Sequence, residues 1–191
     1  MYIIGPKTSK FITDKFFEVS FKGNGEKKVN RDDFDKLKSA KELHYLATIF
    51  NWDDDTEVLE WIIINSPICD KGTALLIFWS SQPDFYTRFD NEQEADYERD
   101  TFRLLRNIIK NYQDGFYKKA RFRFNPKSPV FDVDYVDPKA KWEIPIEMKK
   151  EIIGLPVISI EDTRNFILNV TNVIWRNLKR KFKRFKKLLT K

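Results

Sequence analysis

Two stretches, Ser39-Ala-Lys-Glu-Leu-His-Tyr-Leu-Ala-Thr-Ile-Phe50 and Asp70-Lys-Gly-Thr-Ala-Leu-Leu-Ile-Phe-Trp79, decide the fold. In the first, Ser39 and Glu42 have the spacing of a capping box, and apolar residues then recur every three or four positions. In the second, Asp70 is a favourable N-cap residue ahead of a run that is apolar on every side. Both patterns predict helices, and the second predicts a helix that is buried all round.

Two further helices are expected around these stretches. Val58-Leu-Glu-Trp-Ile-Ile63 follows a capping signal and is apolar over most of a helical surface, which favours burial. A longer helix is predicted from a cap at Asn91 to a stop at Gly115, with Tyr97 at the start of its apolar stripe. Acids crowd its first half and bases its second, as the helix dipole favours. Together these helices predict a compact core over residues 39–117, filled by large aromatic side chains.

Short alternating stretches flank this helical core. Residues 16–29 have the pattern of a hairpin around the turn Gly23-Asn-Gly25. Residues 120–124 and 130–136 alternate apolar and polar side chains and are predicted strands, and a brief helix is expected to follow Pro145. The fold class predicted from these patterns is α+β and predominantly helical, with a small antiparallel β element.

The predicted organisation is a single domain over the 191 residues. It has an N-terminal hairpin region over residues 1–38, the helical core over residues 39–117, and short strands with a loop over residues 118–160. A long amphipathic helix is predicted over residues 162–191, where apolar side chains recur at helical spacing.

The C-terminal segment differs from the rest of the chain in charge. Residues 175–191 carry nine lysines or arginines and no acid, and removing these nine charges from the net charge of +6 leaves the remainder at −3. Such a helix packs on the body, binds nucleic acid or an anionic membrane surface, or enters a groove of an acidic protein, and the sequence leaves these possibilities open. The candidate contacts with an anionic partner are Arg176, Lys179, Arg180, Lys183, Arg184 and Lys187.

The remaining composition bounds the compartment. The single cysteine, Cys69, excludes an internal disulfide and suits a reducing environment. The N-terminal sequence lacks the pattern of a signal peptide, and the longest apolar run, residues 74–79, is too short to cross a bilayer. We therefore expect a cytoplasmic protein.

The sequence shows no constellation typical of an enzyme. The only histidine, His44, lies within a predicted core helix and has no visible relay partner. Cys69 precedes a helix N-terminus, where a thiolate is stabilised, but packing in the core is the simpler interpretation. The acids Asp53 to Asp55, together with Asp70, could hold a cation, but helix capping explains Asp54 and Asp70 without one. We predict no metal, no cofactor, no small-molecule substrate and no catalytic residue.

Three motifs carry a resemblance to a known family: the turn Asn51-Trp-Asp53, the helical segment Val58-Leu-Glu-Trp-Ile62, and Cys69-Asp-Lys-Gly-Thr-Ala-Leu-Leu-Ile-Phe-Trp79. They resemble the bacterial family called domain of unknown function 4274 over about residues 40–120. The resemblance implies a small helical domain without an established activity. The motif residues are predicted to be structural, with the tryptophans in one core and the polar residues capping helices: Trp52, Asp53, Trp61, Asp70, Thr73 and Trp79.

Two functions from different classes are expected from these observations. The first is a non-enzymatic binding module for a protein partner, of the kind represented by immunity proteins and antitoxins that neutralise a bacterial toxin. The mildly acidic body would suit a basic toxin. The alternative is binding of nucleic acid or an anionic membrane surface through the basic C-terminal helix. An enzyme that uses the carboxylates of residues 53–55 and Asp70 ranks last.

Overall fold

The computed structural model describes residues 1–17, 29–50, 57–64, 67–128, 131–161 and 163–164. Within them the protein is predominantly helical and carries a small two-stranded sheet. The α-helices in chain order are α1 (Pro6–Ile12), α2 (Arg31–Phe34), α3 (Ala40–Ile49), α4 (Glu57–Ile64), α5 (Lys71–Ser80), α6 (Pro83–Tyr86), α7 (Glu92–Ala95) and α8 (Arg99–Gln113). A π-helical turn covers Thr13–Phe17, 3₁₀ turns cover Asp96–Glu98 and Ile146–Lys149, and the strands are β1 (Tyr2–Ile4) and β2 (Val157–Ser159).

The two stretches that define the core form helices within a residue of the predicted bounds. In α3 the stripe through Leu43 and Leu46 is fully buried, and the Glu42 carboxylate accepts a hydrogen bond from the Ser39 backbone N–H at 2.9 Å. In α5 seven of the ten residues are buried, on all sides of the helix, as its apolar run predicts. Helices α3, α6 and α8 all contact α5, which therefore lies at the centre of the helical core.

The long helix predicted from residue 91 to residue 115 is wrong in one respect, because it is interrupted. Asn91 caps α7, with its side chain accepting from the Glu94 N–H at 3.0 Å, but the backbone turns at Asp96, where φ is 49°. The 3₁₀ turn that follows places the Glu98 carboxylate 2.8 Å from the Tyr86 hydroxyl, which donates to it. Tyr97, predicted to face the core, is consequently 95% exposed.

The end of this helical region agrees with the sequence. Gly115 has a φ of 66°, the left-handed conformation in which glycine avoids the steric cost of a Cβ. Its N–H donates to the Tyr112 carbonyl at 3.2 Å, and the Phe116 N–H donates to the Asn111 carbonyl at 2.8 Å. This pair of hydrogen bonds is the Schellman arrangement, which satisfies two of the last carbonyls of α8.

The predicted antiparallel β element is wrong. β1 and β2 pair in parallel, with Tyr2 opposite Val157 and Ile4 opposite Ser159. A tight hairpin can join only antiparallel strands, whereas these two strands are separated in sequence by the whole helical core. The hairpin expected over residues 16–29 also fails at its start, because Phe16 lies in the π-helical turn, and residues 18–28 lie outside the described residues.

The other predicted strands are only partly present. Residues 120–124 alternate as predicted, with Phe122 and Phe124 buried, but the segment forms isolated bridges to Leu155 and Ile152 in place of a continuous strand. The described part of residues 130–136 is irregular. The brief helix expected after Pro145 is the 3₁₀ turn Ile146–Lys149.

Two further points concern the C-terminal helix and the ability of the helices to cross a membrane. The amphipathic helix predicted over residues 162–191 lies almost wholly outside the described residues. Within the part of the chain that the structure describes, the helices are too short or too polar to cross a membrane.

Candidate functional site

A buried polar cluster lies where α5 begins and comprises His44, Asp70 and Thr73. The His44 Nδ1 atom lies 2.9 Å from the Thr73 hydroxyl oxygen, and both side chains are buried. The imidazole also packs against the Phe122 ring, with 4.8 Å between ring centroids. Burial lowers the pKa of His44 to about 4, an effect that the nearby Asp70 carboxylate opposes. The imidazole is therefore neutral at physiological pH.

Asp70 joins this cluster by hydrogen bonds to residues 121–122, which are distant in the sequence. Its fully buried carboxylate accepts the N-cap hydrogen bond from the Gly72 N–H at 3.0 Å, as predicted. It also accepts from the backbone N–H groups of Arg121 at 2.9 Å and Phe122 at 3.2 Å, and the Arg121 Nε lies 3.4 Å away. With both oxygens engaged by donors, Asp70 is a structural acceptor rather than a free base or ligand.

Two glycines, Gly72 and Gly154, allow the segment around Phe122 to pack closely against the backbone on either side of it. A Cβ added to Gly72 would lie 2.2 Å from the Phe122 carbonyl oxygen, and one added to Gly154 would lie 2.5 Å from the Arg121 carbonyl oxygen. Both distances are far below van der Waals contact. The Gly72 of the motif is therefore explained by backbone packing next to the Asp70 carboxylate.

The nearby thiol and phenol are also buried. Burial raises the pKa of the Cys69 thiol far above its usual range, and the Asp70 charge adds to the effect. Burial likewise raises the pKa of Tyr117. Cys69 is 3% exposed, so its thiol is protonated and shielded from solvent. Such a thiol lacks the electropositive, accessible environment of a nucleophile.

The two motif tryptophans in the described residues occupy the core, as predicted. Trp61 lies against Phe34, with 5.2 Å between ring centroids, and under the Arg31 guanidinium. Trp79 donates from Nε1 to the Met148 carbonyl at 2.9 Å. Thr73 differs from the prediction, because it lies in the first turn of α5 and contacts His44, whereas Asp70 alone is the N-cap residue.

Several predicted site residues lie outside the described residues. Trp52 and Asp53 of the family motif are among them, as is the Asp53 to Asp55 run considered for cation binding. The basic candidates for an anionic partner also lie outside: Arg176, Lys179, Arg180, Lys183, Arg184 and Lys187. Among the residues that are described, none form a group of three or more His, Cys, Asp or Glu side chains arranged to hold a metal ion.

A second polar region is an open cleft of about 590 Å³, which we call the acidic cleft. Asp84, Thr87 and Gln113 line one side, and side chains from residues 135–149 line the rest. Four of its lining residues are acids and one is a base, and they are Asp84, Asp137, Glu143, Glu147 and Lys149. Its apolar lining includes side chains that are strongly exposed, namely Tyr135 (44%), Val136 (63%) and Ile146 (67%).

The irregular segment that forms this cleft is fixed to the helical core by side-chain hydrogen bonds. Trp142 donates from Nε1 to the Phe89 carbonyl at 2.9 Å and stacks under the Arg106 guanidinium. The Arg88 guanidinium forms an ion pair with Asp137, which lowers the pKa of that buried carboxyl. The cleft is thus supported by a network of directional bonds even though it lacks regular secondary structure.

Sequence reasoning missed this cleft. Residues 130–136 alternate in polarity, so Tyr135 and Val136 were expected in a strand. A usable signal was present nonetheless, because acids, prolines and a tryptophan are interspersed between residues 137 and 147 without helical or strand periodicity.

The comparison with known families bears on the helical part of the chain. Residues 38–113 match the model of a family described as a domain of unknown function (DUF4274). This segment of the chain belongs to that family. Searches among curated proteins and among solved structures gave no significant match. The polar cluster draws His44, Asp70 and Thr73 from the DUF4274 segment, whereas most of the acidic cleft is formed by residues that follow it.

Proposed function

We propose that the protein is a non-enzymatic module that binds a protein partner, such as a toxin that it neutralises in the manner of an immunity protein or antitoxin. The observation that carries the proposal is the contrast between the two polar regions. The groups able to do chemistry, His44, Cys69 and Asp70, are buried and engaged in packing or hydrogen bonds. Three exposed apolar side chains, Tyr135, Val136 and Ile146, instead line an open cleft.

The exposure of the cleft's apolar residues supports a binding role. Tyr135, Val136 and Ile146 leave apolar area in contact with water, which is unfavourable unless a partner covers it. Tyrosine and tryptophan are also the residues that contribute most often to protein interfaces. The surrounding carboxylates would form the polar rim of such an interface.

The experiment that tests this proposal uses the full chain as bait in its native host. The control bait is the double variant Tyr135→Ser, Ile146→Ser, which removes exposed apolar area without entering the core. We expect a partner that the wild-type chain retains and the double variant loses. In cells whose growth is arrested by a toxic partner, co-expression of the wild-type chain should then restore growth, and co-expression of the double variant should not. A partner retained equally by both baits would contradict a role for the cleft.

The alternative function is supported by the charge of the C-terminal segment and by bases in the described residues. Lys118, Lys119 and Arg123 are exposed and add to the nine positive charges of residues 175–191. We expect binding to DNA, RNA or anionic liposomes to weaken steeply with salt if this function is correct. Replacing the six candidate bases by glutamine should abolish it. Salt-independent or undetectable binding would exclude the alternative.

A further inference from the structure

We propose that the acidic cleft selects a basic segment of a protein partner, in which lysine or arginine residues accompany a bulky apolar side chain. This inference rests on the proposed function and specifies the chemistry of the partner. It follows from three properties of the cleft, namely the charges it leaves uncompensated, the apolar side chains it exposes, and the rigidity of its walls.

The cleft carries uncompensated negative charge. Asp137 is paired with Arg88, but Asp84, Glu143 and Glu147 make no side-chain hydrogen bond or ion pair within the described part of the chain. Lys149 is the only base among the residues that line it. Carboxylates gathered around a cleft produce a negative potential that attracts cationic groups and repels phosphates.

The apolar side chains of the cleft favour a partner segment that has an apolar side chain as well as positive charge. Tyr135 has no aromatic or cationic neighbour among the described residues, so its ring face can receive a guanidinium or ammonium group. Trp142 differs, because Arg106 already lies over its ring, 5.0 Å from the centroid. Val136 and Ile146 offer apolar area to an aliphatic or aromatic side chain. A segment with both bases and an apolar anchor therefore makes more favourable contacts with the cleft than a purely basic segment does.

The walls are held in place before any partner arrives. The 3₁₀ turn Ile146–Lys149 is fixed at two consecutive carbonyls: the Tyr112 hydroxyl donates to the Glu147 carbonyl at 3.4 Å, and the Trp79 indole donates to the Met148 carbonyl at 2.9 Å. Opposite it, the Lys141 N–H donates to the Thr87 carbonyl at 2.8 Å. A preformed cleft loses little conformational entropy on binding, which favours recognition of a short segment.

Other occupants fit less well. Nucleic acid or an anionic membrane would bring negative charge to Asp84, Glu143 and Glu147. A bound metal ion would require clustered ligands, and the described residues contain no such cluster. An acidic or uncharged peptide would leave the carboxylates without a partner.

The test uses the full chain and immobilised synthetic peptides of three compositions. One class combines lysine and arginine with leucine, phenylalanine and tryptophan, a second combines the same bases with glycine and serine, and a third combines acids with the apolar residues. The variant Glu143→Lys, Glu147→Lys reverses the cleft's charge. Its matched control, Glu151→Lys, Glu161→Lys, makes the same charge change at exposed acids outside the cleft.

We expect the wild-type chain and the matched control to bind the first class most tightly. The cleft variant should bind it about tenfold more weakly or worse, and added salt should reduce the difference. Tyr135→Ser should weaken the first class more than the second, because it removes the apolar and ring contact while the charges remain.

The failures of the inference and of the proposed function differ in outcome. Peptides that bind in a way sensitive to Tyr135→Ser, but without a preference for bases, would overturn the inference and leave the protein-binding function standing. Equal losses in the cleft variant and the matched control would also overturn it, because the effect would then reflect net charge. If none of the three peptide classes binds in a way that the cleft variants change, both the inference and the proposed function are overturned.

Discussion

The polar cluster and the acidic cleft contain similar residue types but use them in opposite ways. In the cluster, the Asp70 carboxylate is fully buried and accepts hydrogen bonds from three backbone N–H groups. In the cleft, Glu143 is exposed and Glu147 is half-buried, and neither has a side-chain partner within the described part of the chain. A carboxylate that the fold has already saturated holds the structure together, whereas one left open to solvent can recognise another molecule.

The difference follows from where the surrounding residues lie in the sequence. The cluster is built within the DUF4274 segment and closed by the segment around Phe122, whose approach depends on Gly72 and Gly154. The cleft is built mainly by the chain that follows the family segment. In the described part of the matched segment, His44, Asp70 and Thr73 therefore hold the fold together, and the recognition surface proposed for this chain lies largely beyond that segment.

The largest expected effect comes from removing the buried acceptor. Asp70→Ala should lower the free energy of unfolding by about 4 kcal/mol, because it removes the N-cap bond and leaves the N–H groups of Arg121 and Phe122 without an acceptor. Asp70→Asn should cost less, because one side-chain oxygen remains. Urea denaturation followed by circular dichroism measures both. A loss below about 1 kcal/mol for Asp70→Ala would show that the cluster is not structural.

The next effect is a pH dependence that arises from His44. Its pKa is about 4 in the folded protein and ordinarily near 6.5, so the unfolded chain takes up the proton first as the pH falls. The stability contributed by the neutral imidazole is complete above about pH 6.5 and is lost as the pH falls toward 4, by up to about 3 kcal/mol. Denaturation midpoints from pH 7.5 to 4.5 measure it. The variant His44→Asn should show a shallower slope, and an unchanged slope would contradict the assignment.

A smaller effect is expected at the glycine of the motif. Gly72→Ala should destabilise the fold by about 2 kcal/mol, because its Cβ would meet the Phe122 carbonyl oxygen and force the two segments apart. Gly5→Ala is the matched control, since a Cβ there has no heavy atom within 4 Å. Thermal unfolding of the two variants measures the contrast. Equal melting temperatures would mean that the segments separate without cost.

The smallest effect is expected in the cleft. Tyr135→Ser and Ile146→Ser replace side chains that are 44% and 67% exposed, so each should change the free energy of unfolding by no more than about 0.5 kcal/mol. The same variants should nevertheless weaken partner binding. Chemical denaturation and binding are measured on the same preparations. A large loss of stability would indicate that these residues belong to the core and would remove the contrast between the two regions.

The sequence predicted the parts of the structure that depend on local patterns. The cap at Asp70, the buried stripe of α3 and the stop at Gly115 follow from residues within a few positions of one another. The parallel pairing of β1 with β2 and the second role of Asp70 depend on segments about 50 to 155 residues apart. Periodicity carries no information about such partners, and hence the β element was predicted with the wrong orientation.

The cleft was not predicted because most of its walls lack periodicity. Residues 131–149 are positioned by single contacts, such as the indoles of Trp79 and Trp142 with distant carbonyls, and not by a repeating pattern. The break at Asp96 was missed for a similar reason. Its positive φ is stabilised by tertiary contacts, including the hydrogen bond between Tyr86 and Glu98, that override a continuous helical pattern.

The central claim is that recognition takes place in the acidic cleft while the polar cluster serves the fold. Backbone hydrogen exchange of the full chain, with and without a basic peptide that carries an apolar anchor, tests it most directly. We expect added protection at residues 84–87 and 135–149 and unchanged exchange around His44 and Asp70. Protection that arises at the polar cluster and spares the cleft would contradict the account.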